Sequence, residues 1–217
     1  MKKINMKHEE TSMRKAEQNE VRAVAAFMAE QFLEKEELQT MFAGIEPVKA
    51  KKIAVELIYF ELMYIIRHGD IYVYDENISG AIVGIEYKYS SVFRRLSMIL
   101  QGNRFLQSIP KDDLAVIKKN SVTVSEAHSR KWFKKYCKNP YYLVQFGIAK
   151  EKRGTGIARK MLEQIFERAK QSGNRYIVVE TLTASNVPMY EHFGFELKEV
   201  YETKNGKLTE YRMLKQI

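Results

Sequence analysis

Six consecutive residues, Arg153-Gly154-Thr155-Gly156-Ile157-Ala158, combine the residue types of an anion-binding loop. An apolar run from Tyr141 to Ala149 precedes them, and a segment with apolar residues at helical spacing follows them. Glycines let a backbone turn tightly and approach a ligand closely. The unpaired N–H groups in the first turn of a helix bind phosphate oxygens, aided by the positive end of the helix dipole. The order of strand, glycine turn and helix therefore predicts a phosphate-binding site.

Two common phosphate loops do not fit this stretch. A Walker loop needs Gly-Lys-Ser/Thr, but Gly156 is followed by Ile157. A Rossmann fingerprint needs Gly or Ala at position 159, where Arg159 stands. The remaining pattern, Arg-x-x-Gly-x-Ala, resembles the pyrophosphate loop of the GNAT superfamily of N-acetyltransferases, which binds acetyl-CoA. Ala158 stands where that loop most often has Gly, and Ala is an accepted variant.

A second stretch further along the chain resembles the same superfamily. Glu180-Thr181, followed by the segment from Asn186 to Phe195, looks like its second signature. The short form Asn-x-Pro-x-Tyr is similar to the branch that includes puromycin acetyltransferase. Two signatures in the expected order are more specific than either one alone.

The resemblance implies an α/β fold, with a mixed sheet of six or seven strands and helices on both faces. In this fold strands 4 and 5 splay apart, and the pantetheine arm of the cofactor enters the gap. Periodicity and turn residues predict the compatible order βααββ, an insertion, then βαβαββ. We therefore expect a single domain over residues 1–217, with a helical insertion at about 91–139.

The resemblance also assigns residues to the site. The backbone of Phe146 and Ile148 would pair with pantetheine, and Asn186 would stand at the second wall of the cofactor site. Tyr190 matches the tyrosine that acts as general acid. A phenol can protonate the departing CoA thiolate, because its pKa of about 10 lies within roughly two units of that of a thiol. The predicted cofactor-binding residues are Phe146, Ile148, Arg153, Gly154, Thr155, Gly156, Ile157, Ala158 and Asn186.

Glu180 is the candidate general base. It ends an apolar strand run that begins at Tyr176, where an unpaired carboxylate would be costly and its pKa would be raised. Such an environment suits a base, and it equally suits a structural carboxylate bonded to the backbone or to Arg. The four histidines are interpreted as surface or hydrogen-bonded residues. Cys137 is interpreted as a packing residue, because the attack is direct in the superfamily, and no metal site is expected.

Composition narrows the class of protein. The chain has 217 residues, 45% of them hydrophobic and 29% charged, as in an ordinary soluble domain. The first dozen residues lack the apolar core of a signal peptide, and no run of eighteen apolar residues occurs. A cytoplasmic protein without a membrane partner is the resulting expectation.

The net charge of +9 is concentrated in one segment. Residues 91–139 hold 11 Lys or Arg and 3 Asp or Glu, a local balance of +8. We expect two helices there, at about 92–107 and 111–138, the second with His128, Trp132 and Tyr136 on one face covering the core. The alternatives are solvated lysines, steering of an anionic acceptor, or stacking of the interleaved aromatic residues on nucleic-acid bases.

The sequence therefore predicts an N-acetyltransferase that uses acetyl-CoA and a primary amine of a small molecule or peptide. A first alternative is an acyl-CoA-binding sensor or regulator without turnover, against which the presence of Tyr190 and Asn186 argues. A second, less favoured alternative is a nucleic-acid-binding protein that uses the basic insertion. Formation of a homodimer is left open.

Overall fold

The computed structural model describes residues 13–90, 105–128 and 131–217. Its strands are β1 Arg14–Lys15, β2 Asp70–Val73, β3 Gly80–Glu86, β4 Tyr141–Ile148, β5 Tyr176–Thr181, β6 Glu196–Glu202 and β7 Thr209–Gln216. Its α-helices are α1 Val21–Phe32, α2 Glu36–Met41, α3 Pro47–His68, α4 Tyr87–Ser90, α5 Lys111–Ala127, α6 Ile157–Gln171 and α7 Val187–His192. No helix in these ranges is both long enough and apolar enough to cross a membrane.

The strands form one mixed sheet of seven strands in the order β1-β2-β3-β4-β5-β7-β6. β4 and β5 are parallel, and the other neighbours in the sheet are antiparallel. A parallel pair needs a crossover, and α6 provides it. The predicted mixed α/β sheet is confirmed. A hairpin at Asn205-Gly206 joins β6 and β7, and Gly206 has a φ of +67°.

Helices cover both faces of the sheet, as predicted. Successive side chains of a strand point to opposite faces. On β3, Val83 packs in the core beneath α1 and α3, whereas Ile82 packs in the core beneath α6. The two cores meet the sheet from opposite sides, so the sheet is buried over most of its area.

The second half of the insertion differs from the prediction. The helix predicted over 111–138 ends at Ala127, and a short 3-10 helix, Trp132–Lys135, follows it. Trp132 and Phe133 are buried and pack with Cys137 against Val178 of β5. The segment thus covers the core as expected, but it does so without a continuous helix. The helix predicted at 92–107 lies mostly outside the described residues.

This packing also decides between two interpretations of the aromatic residues. Trp132 is 4% exposed and Phe133 is fully buried, so neither ring can stack on a nucleic-acid base. Lys135 forms an ion pair with Glu199 of β6 at 2.8 Å. The base-stacking hypothesis is therefore wrong for Trp132 and Phe133, and it stays untested for Tyr136, which is 40% exposed.

A short 3-10 turn precedes the first helix. The turn covers Gln18–Glu20, and α1 begins at Val21. The Glu20 carboxylate accepts a hydrogen bond from the Glu17 amide and pairs with Arg14. These contacts hold the 3-10 turn in place directly before α1.

Candidate active site

β4 and β5 separate along their length. Their parallel pairing joins Tyr141–Leu143 to Ile177–Val179 and stops there, although β4 continues to Ile148. A β-bulge marks the point of separation, because Val83 faces Gln145 and Gly84 faces Leu143, which leaves Val144 without a partner on β3. A bulge bends its strand and increases the local twist. The second half of β4 therefore presents backbone N–H and C=O groups to a gap between the strands.

The glycine loop lies at the end of this gap, between β4 and α6. Gly154 and Gly156 have φ angles of +78° and +86°, which favour glycine. A Cβ at either position would meet nothing within 4 Å, so the loop is open to solvent. Among the described residues, no backbone carbonyl accepts a hydrogen bond from the N–H groups between Gly154 and Arg159. These N–H groups and the helix dipole make the loop suitable for a pyrophosphate.

Side chains of the loop tie it to its surroundings. Arg153 donates from Nε to the Ile148 carbonyl at 3.3 Å, and from Nη2 to Gln31 Oε1 of α1 at 3.3 Å. The Thr155 hydroxyl donates to the Lys152 carbonyl at 2.7 Å. The loop is therefore held against the end of β4 and against α1, while its N–H groups between Gly154 and Arg159 have no backbone acceptor in the part of the chain that the structure describes.

The second predicted signature lies on the other side of the gap. Asn186 precedes α7 and donates from Nδ2 to Thr181 Oγ1, at the end of β5, at 3.0 Å. Tyr190 lies one turn further along and is buried against the Phe195 ring, with ring centres 5.4 Å apart. Burial raises the pKa of its phenol. Tyr190 is therefore protonated at neutral pH and available as a proton donor.

A cavity of about 510 Å³ opens from the gap towards α2, α3 and α5. Four predicted site residues, Phe146, Glu180, Asn186 and Tyr190, line it together. In the described structure, Ile148 and the loop from Arg153 to Ala158 do not line this cavity. The predicted residues therefore form two adjoining parts, an exposed loop at the end of β4 and a cavity beside the gap.

Glu180 lies on the wall of this cavity and is held by several donors. It shares a face of β5 with Val178, the face covered by the end of the insertion. The Trp132 indole N–H donates to Glu180 Oε1 at 2.6 Å. His128 Nδ1 lies 3.7 Å from Glu180 Oε2. Only 7% of the Glu180 side chain is exposed.

His128 stands among three carboxylates. Its Nδ1 lies 2.9 Å from Glu210 Oε1, and its Nε2 lies 3.4 Å from Glu37 Oε1. Arg212 donates from Nε to Glu210 Oε2 at 2.6 Å. We call the group of Glu37, His128, Glu180, Glu210 and Arg212 the His128 cluster. It joins α2, the end of α5, β5 and β7 next to the cavity.

The pKa values follow from these contacts. Burial raises the pKa of Glu180, but hydrogen bonds from His128 and Trp132 outweigh it and hold the pKa below its usual value. The expectation of a raised pKa is therefore wrong. Burial lowers the pKa of His128, but Glu180, Glu210 and Glu37 outweigh it and raise the pKa well above the ordinary value. The pKa of Glu210 is raised, mainly by burial.

His128, Glu180 and Glu210 offer ligand atoms that all lie within 4.8 Å of one another, a spacing that a metal ion could use. Each group already has a donor or acceptor: Glu180 receives the Trp132 N–H, and Glu210 receives the Arg212 guanidinium. An imidazolium bridging carboxylates accounts for the arrangement. The expectation that the site works without a metal stays a prediction.

Sequence reasoning did not single out His128 as part of this group, and it overlooked Glu37, Glu210 and Arg212. These residues come from separate elements and form no motif. One local signal was available. Glu210 and Arg212 are two residues apart on β7, so they share one face of the strand, the face that also carries Leu214. Two opposite charges on a buried face indicate a paired group.

A sequence profile of the acetyltransferase (GNAT) domain family matches residues 110–197. The match spans β4, the glycine loop, α6 and the Asn186–Tyr190 region, the elements that build the site. Together with the fold, it supports the GNAT superfamily. An uncharacterized N-acetyltransferase of Schizosaccharomyces pombe is 37% identical over 68 residues, which are 31% of this chain and 27% of that protein. The resemblance to the puromycin acetyltransferase branch stays a prediction.

Solved acetyltransferase structures share the fold. Arylalkylamine N-acetyltransferase 2 from Aedes aegypti is 14% identical, with a TM-score of 0.61, over 95% of this chain and 98% of that one. A histone acetyltransferase HPA2-related acetyltransferase from Corynebacterium glutamicum is 18% identical, with a TM-score of 0.61, over 94% and 95%. The polyamine N-acetyltransferase of Drosophila melanogaster, which forms N-acetylagmatine, is 11% identical, with a TM-score of 0.56, over 95% and 99%.

Proposed function

We propose that the protein is an N-acetyltransferase that transfers an acetyl group from acetyl-CoA directly to a primary amine of a small molecule or peptide. The observation that carries this proposal is the gap between β4 and β5, which opens after Leu143 and leads to the glycine loop. The backbone groups along the gap suit the amides in the middle of a ligand, and the glycine loop suits phosphates at one end of it. The neighbouring structures described as amine N-acetyltransferases support an amine as the acceptor.

The residues of this chain suit each part of acetyl-CoA. The N–H groups between Gly154 and Arg159 would bind the pyrophosphate oxygens. The backbone of Phe146 and Ile148, on the half of β4 that is not paired with β5, would pair with the pantetheine amides, and Asn186 would stand at the opposite wall. When bound, acetyl-CoA supplies an activated acetyl thioester. A backbone N–H of β4 directed at the thioester oxygen would stabilise the charge that develops there.

Two proton transfers remain for side chains. Deprotonating an amine of pKa about 10.4 at pH 7 costs roughly 4–5 kcal/mol, and a general base lowers the barrier. Glu180 is our candidate, acting through water, since its lowered pKa keeps it ionised at neutral pH and it lines the cavity. Tyr190 is our candidate for the acid that protonates the departing thiolate, because it lines the cavity and is protonated at neutral pH. Burial raises its pKa, which makes it a weaker acid than the sequence argument assumed.

A thermal shift titration with acetyl-CoA tests the cofactor site. A ligand at a hundredfold excess over its Kd stabilises a fold by about 2.7 kcal/mol, so Tm should rise clearly. Gly156→Glu should abolish the rise in Tm, because a side chain with a negative charge would occupy the position at which the pyrophosphate binds. An unchanged Tm for the wild-type protein at millimolar acetyl-CoA would contradict the proposal. The protein is then incubated with acetyl-CoA and a panel of amines. Release of the free CoA thiol indicates an enzyme, whereas binding of acetyl-CoA without thiol release indicates an acyl-CoA-binding sensor.

A further inference from the structure

Two helices contribute matching sets of residues to the wall of the cavity. The set from α3 is Ala54, Leu57, Ile58 and Glu61, and the set from α5 is Leu114, Ile117, Lys118 and Ser121. Each set has the spacing i, i+3, i+4, i+7, which places its members along one face of the helix. We call the two sets the α3 stripe and the α5 stripe. The stripes form two walls of the same cavity, and α5 belongs to the insertion.

The first halves of both stripes are apolar. Ala54, Leu57 and Ile58 begin the α3 stripe, and Leu114 and Ile117 begin the α5 stripe. The two helices come together near their first turns, where Lys49 Nζ lies 3.2 Å from Asp113 Oδ2. The apolar halves therefore lie at the same end of the cavity. Walls of this kind bind small organic molecules mainly by burying their apolar surface.

The second halves of the stripes lead to the gap between β4 and β5. On the α3 side, Glu61 Oε2 accepts a hydrogen bond from Gln145 Nε2 of β4 at 2.9 Å. On the α5 side, the residue after the helix is His128, whose Nδ1 lies 3.7 Å from Glu180 Oε2 of β5. The cavity is therefore polar where it meets the gap and apolar between the first turns of the two helices.

The position of α5 is fixed by contacts with three other parts of the chain. Asn120 donates from Nδ2 to the Ala43 carbonyl, just after α2, at 3.0 Å. Asn205, in the hairpin between β6 and β7, donates from Nδ2 to Thr123 Oγ1 at 2.9 Å. The Lys49–Asp113 ion pair adds the contact with α3. A wall held in this way is preorganised, so it can select ligands by the polarity of the part that touches it.

We infer that the acceptor carries its amine on a hydrocarbon body, that this body lies between the apolar halves of the two stripes, and that α5 thereby makes the insertion a specificity element. This inference rests on the proposed function. The thioester lies in the gap, so the amine must reach it from the cavity, and the rest of the acceptor extends between α3 and α5. A hydrocarbon body is stabilised there by its removal from water, whereas a hydroxyl would lose its hydration against aliphatic side chains.

Unbranched alkylamines from ethylamine to hexylamine test the body of the acceptor, because they share one ammonium group and differ only in length. Their kcat/KM is measured by release of the CoA thiol from acetyl-CoA. We expect it to rise about two- to fourfold for each added methylene, the gain from burying that group. 5-Amino-1-pentanol matches hexylamine in length but ends in a hydroxyl, and its kcat/KM should be lower by about tenfold or more.

Leu57→Gln and Leu114→Gln test the two walls separately. Both leucines are half-buried, and glutamine keeps a long side chain of similar helix propensity while adding a polar amide. Each substitution should lower kcat/KM about tenfold for hexylamine and less than about twofold for ethylamine, which is too short to reach these side chains. A general loss of structure would lower both values alike. Val48→Gln on α3 and Val122→Gln on α5 are matched controls, because these side chains are 61% and 66% exposed, and they should leave the ratio of the two values unchanged.

The outcomes separate this inference from the proposed function. If acetyl-CoA does not raise Tm, the proposed function is wrong and the inference falls with it. If acetyl-CoA binds but kcat/KM does not rise with length, or no alkylamine releases thiol, the hydrocarbon body is wrong and the cofactor site stands. If Leu114→Gln behaves like Val122→Gln, α5 does not select the acceptor. A higher kcat/KM with hexanoyl-CoA than with acetyl-CoA, for ethylamine, would place an acyl chain between the stripes and overturn the inference.

Discussion

The indole N–H of Trp132 donates to the Glu180 carboxylate at 2.6 Å, across 48 positions of sequence. Trp132 lies near the end of the insertion, and Glu180 lies on β5 just beyond the point where β4 and β5 separate. The hydrogen bond thus joins the insertion to the wall of the cavity. A buried indole N–H needs an acceptor, and a buried carboxylate needs donors, so each residue satisfies the other. The insertion is part of the support of the site.

Two substitutions on this hydrogen bond should have different effects. Trp132→Phe leaves the Glu180 carboxylate in place but removes a donor, and we expect a loss of about 1–3 kcal/mol in the free energy of unfolding. Its turnover should fall less than tenfold. Glu180→Gln removes the proposed base and should lower turnover by about 10²–10⁴-fold. Urea unfolding and thiol-release assays measure the two quantities.

Tyr136→Phe is the control for stability, because Tyr136 is 40% exposed and its change should be close to neutral. Equal turnover in Trp132→Phe and Glu180→Gln would show that Glu180 acts only through the structure. A Trp132→Phe protein as stable as the control would mean that the hydrogen bond contributes nothing.

The His128 cluster predicts a pH dependence of stability. The pKa of His128 is higher in the folded chain than its ordinary value, so its contribution is complete below that ordinary value and is lost as the pH rises through the folded pKa. Glu180 has a lowered pKa, so its contribution is present above the ordinary value of a carboxyl and is lost as the pH falls through the folded pKa. The cluster therefore stabilises the fold most between these limits.

His128→Gln isolates the contribution of the histidine. At pH 6 it should cost about 3 kcal/mol, the low end for breaking a buried ion pair, because Arg212 still pairs with Glu210. The difference in Tm between wild type and variant should shrink as the pH rises above about 6.5. A difference that stays constant from pH 6 to 9 would contradict a titrating His128 in this role.

The parts of the site that follow one another along the chain were predictable. The strand before the glycine loop and the helix after it carry different hydrophobic periods, and Gly154 and Gly156 mark the turn between them. The same holds for the Asn186–Tyr190 segment and for the hairpin at Asn205-Gly206. In each case the backbone conformation is decided by neighbouring residues, so local patterns were sufficient.

Contacts between distant residues were not predictable in the same way. Glu61 meets Gln145 from 84 positions away, and His128 meets Glu210 from 82. Such pairs depend on how the elements pack, which no spacing encodes. The pattern of His128, Trp132 and Tyr136 mimicked one face of a helix. The chain instead leaves the helix after Ala127 and places Trp132 where its N–H reaches Glu180.

The lysines around Trp132 should have little effect on catalysis. Steering of an anionic acceptor was one interpretation of the sequence, but among the described lysines and arginines of 105–138 only Lys118 lines the cavity. Lys131 and Lys134 are exposed, and salt screens such charges within about 10 Å at 0.1 M. We expect Lys131→Glu with Lys134→Glu to change kcat/KM less than threefold for phenethylamine and for phenylalanine. A tenfold loss confined to the anionic acceptor would restore the steering hypothesis.

The Tyr190 hydroxyl allows the most direct test of the chemistry. Among the described residues it has no hydrogen-bond partner, and its ring packs against Phe195. Tyr190→Phe therefore keeps the packing, and Tm and the Kd of acetyl-CoA should stay close to the wild-type values. Turnover should fall by about 10²–10⁴-fold, the usual size of a general-acid effect.

The pH dependence of turnover provides a second test of Tyr190 as the general acid. Because burial raises the pKa of Tyr190, the wild-type rate should not fall through loss of its proton until well above pH 10, the ordinary value. A wild-type decline centred below that value would point to another acid. Turnover of Tyr190→Phe within threefold of the wild type, at an unchanged Tm, would show that water or another group protonates the thiolate. Tyr190 would then hold α7 in place by packing alone.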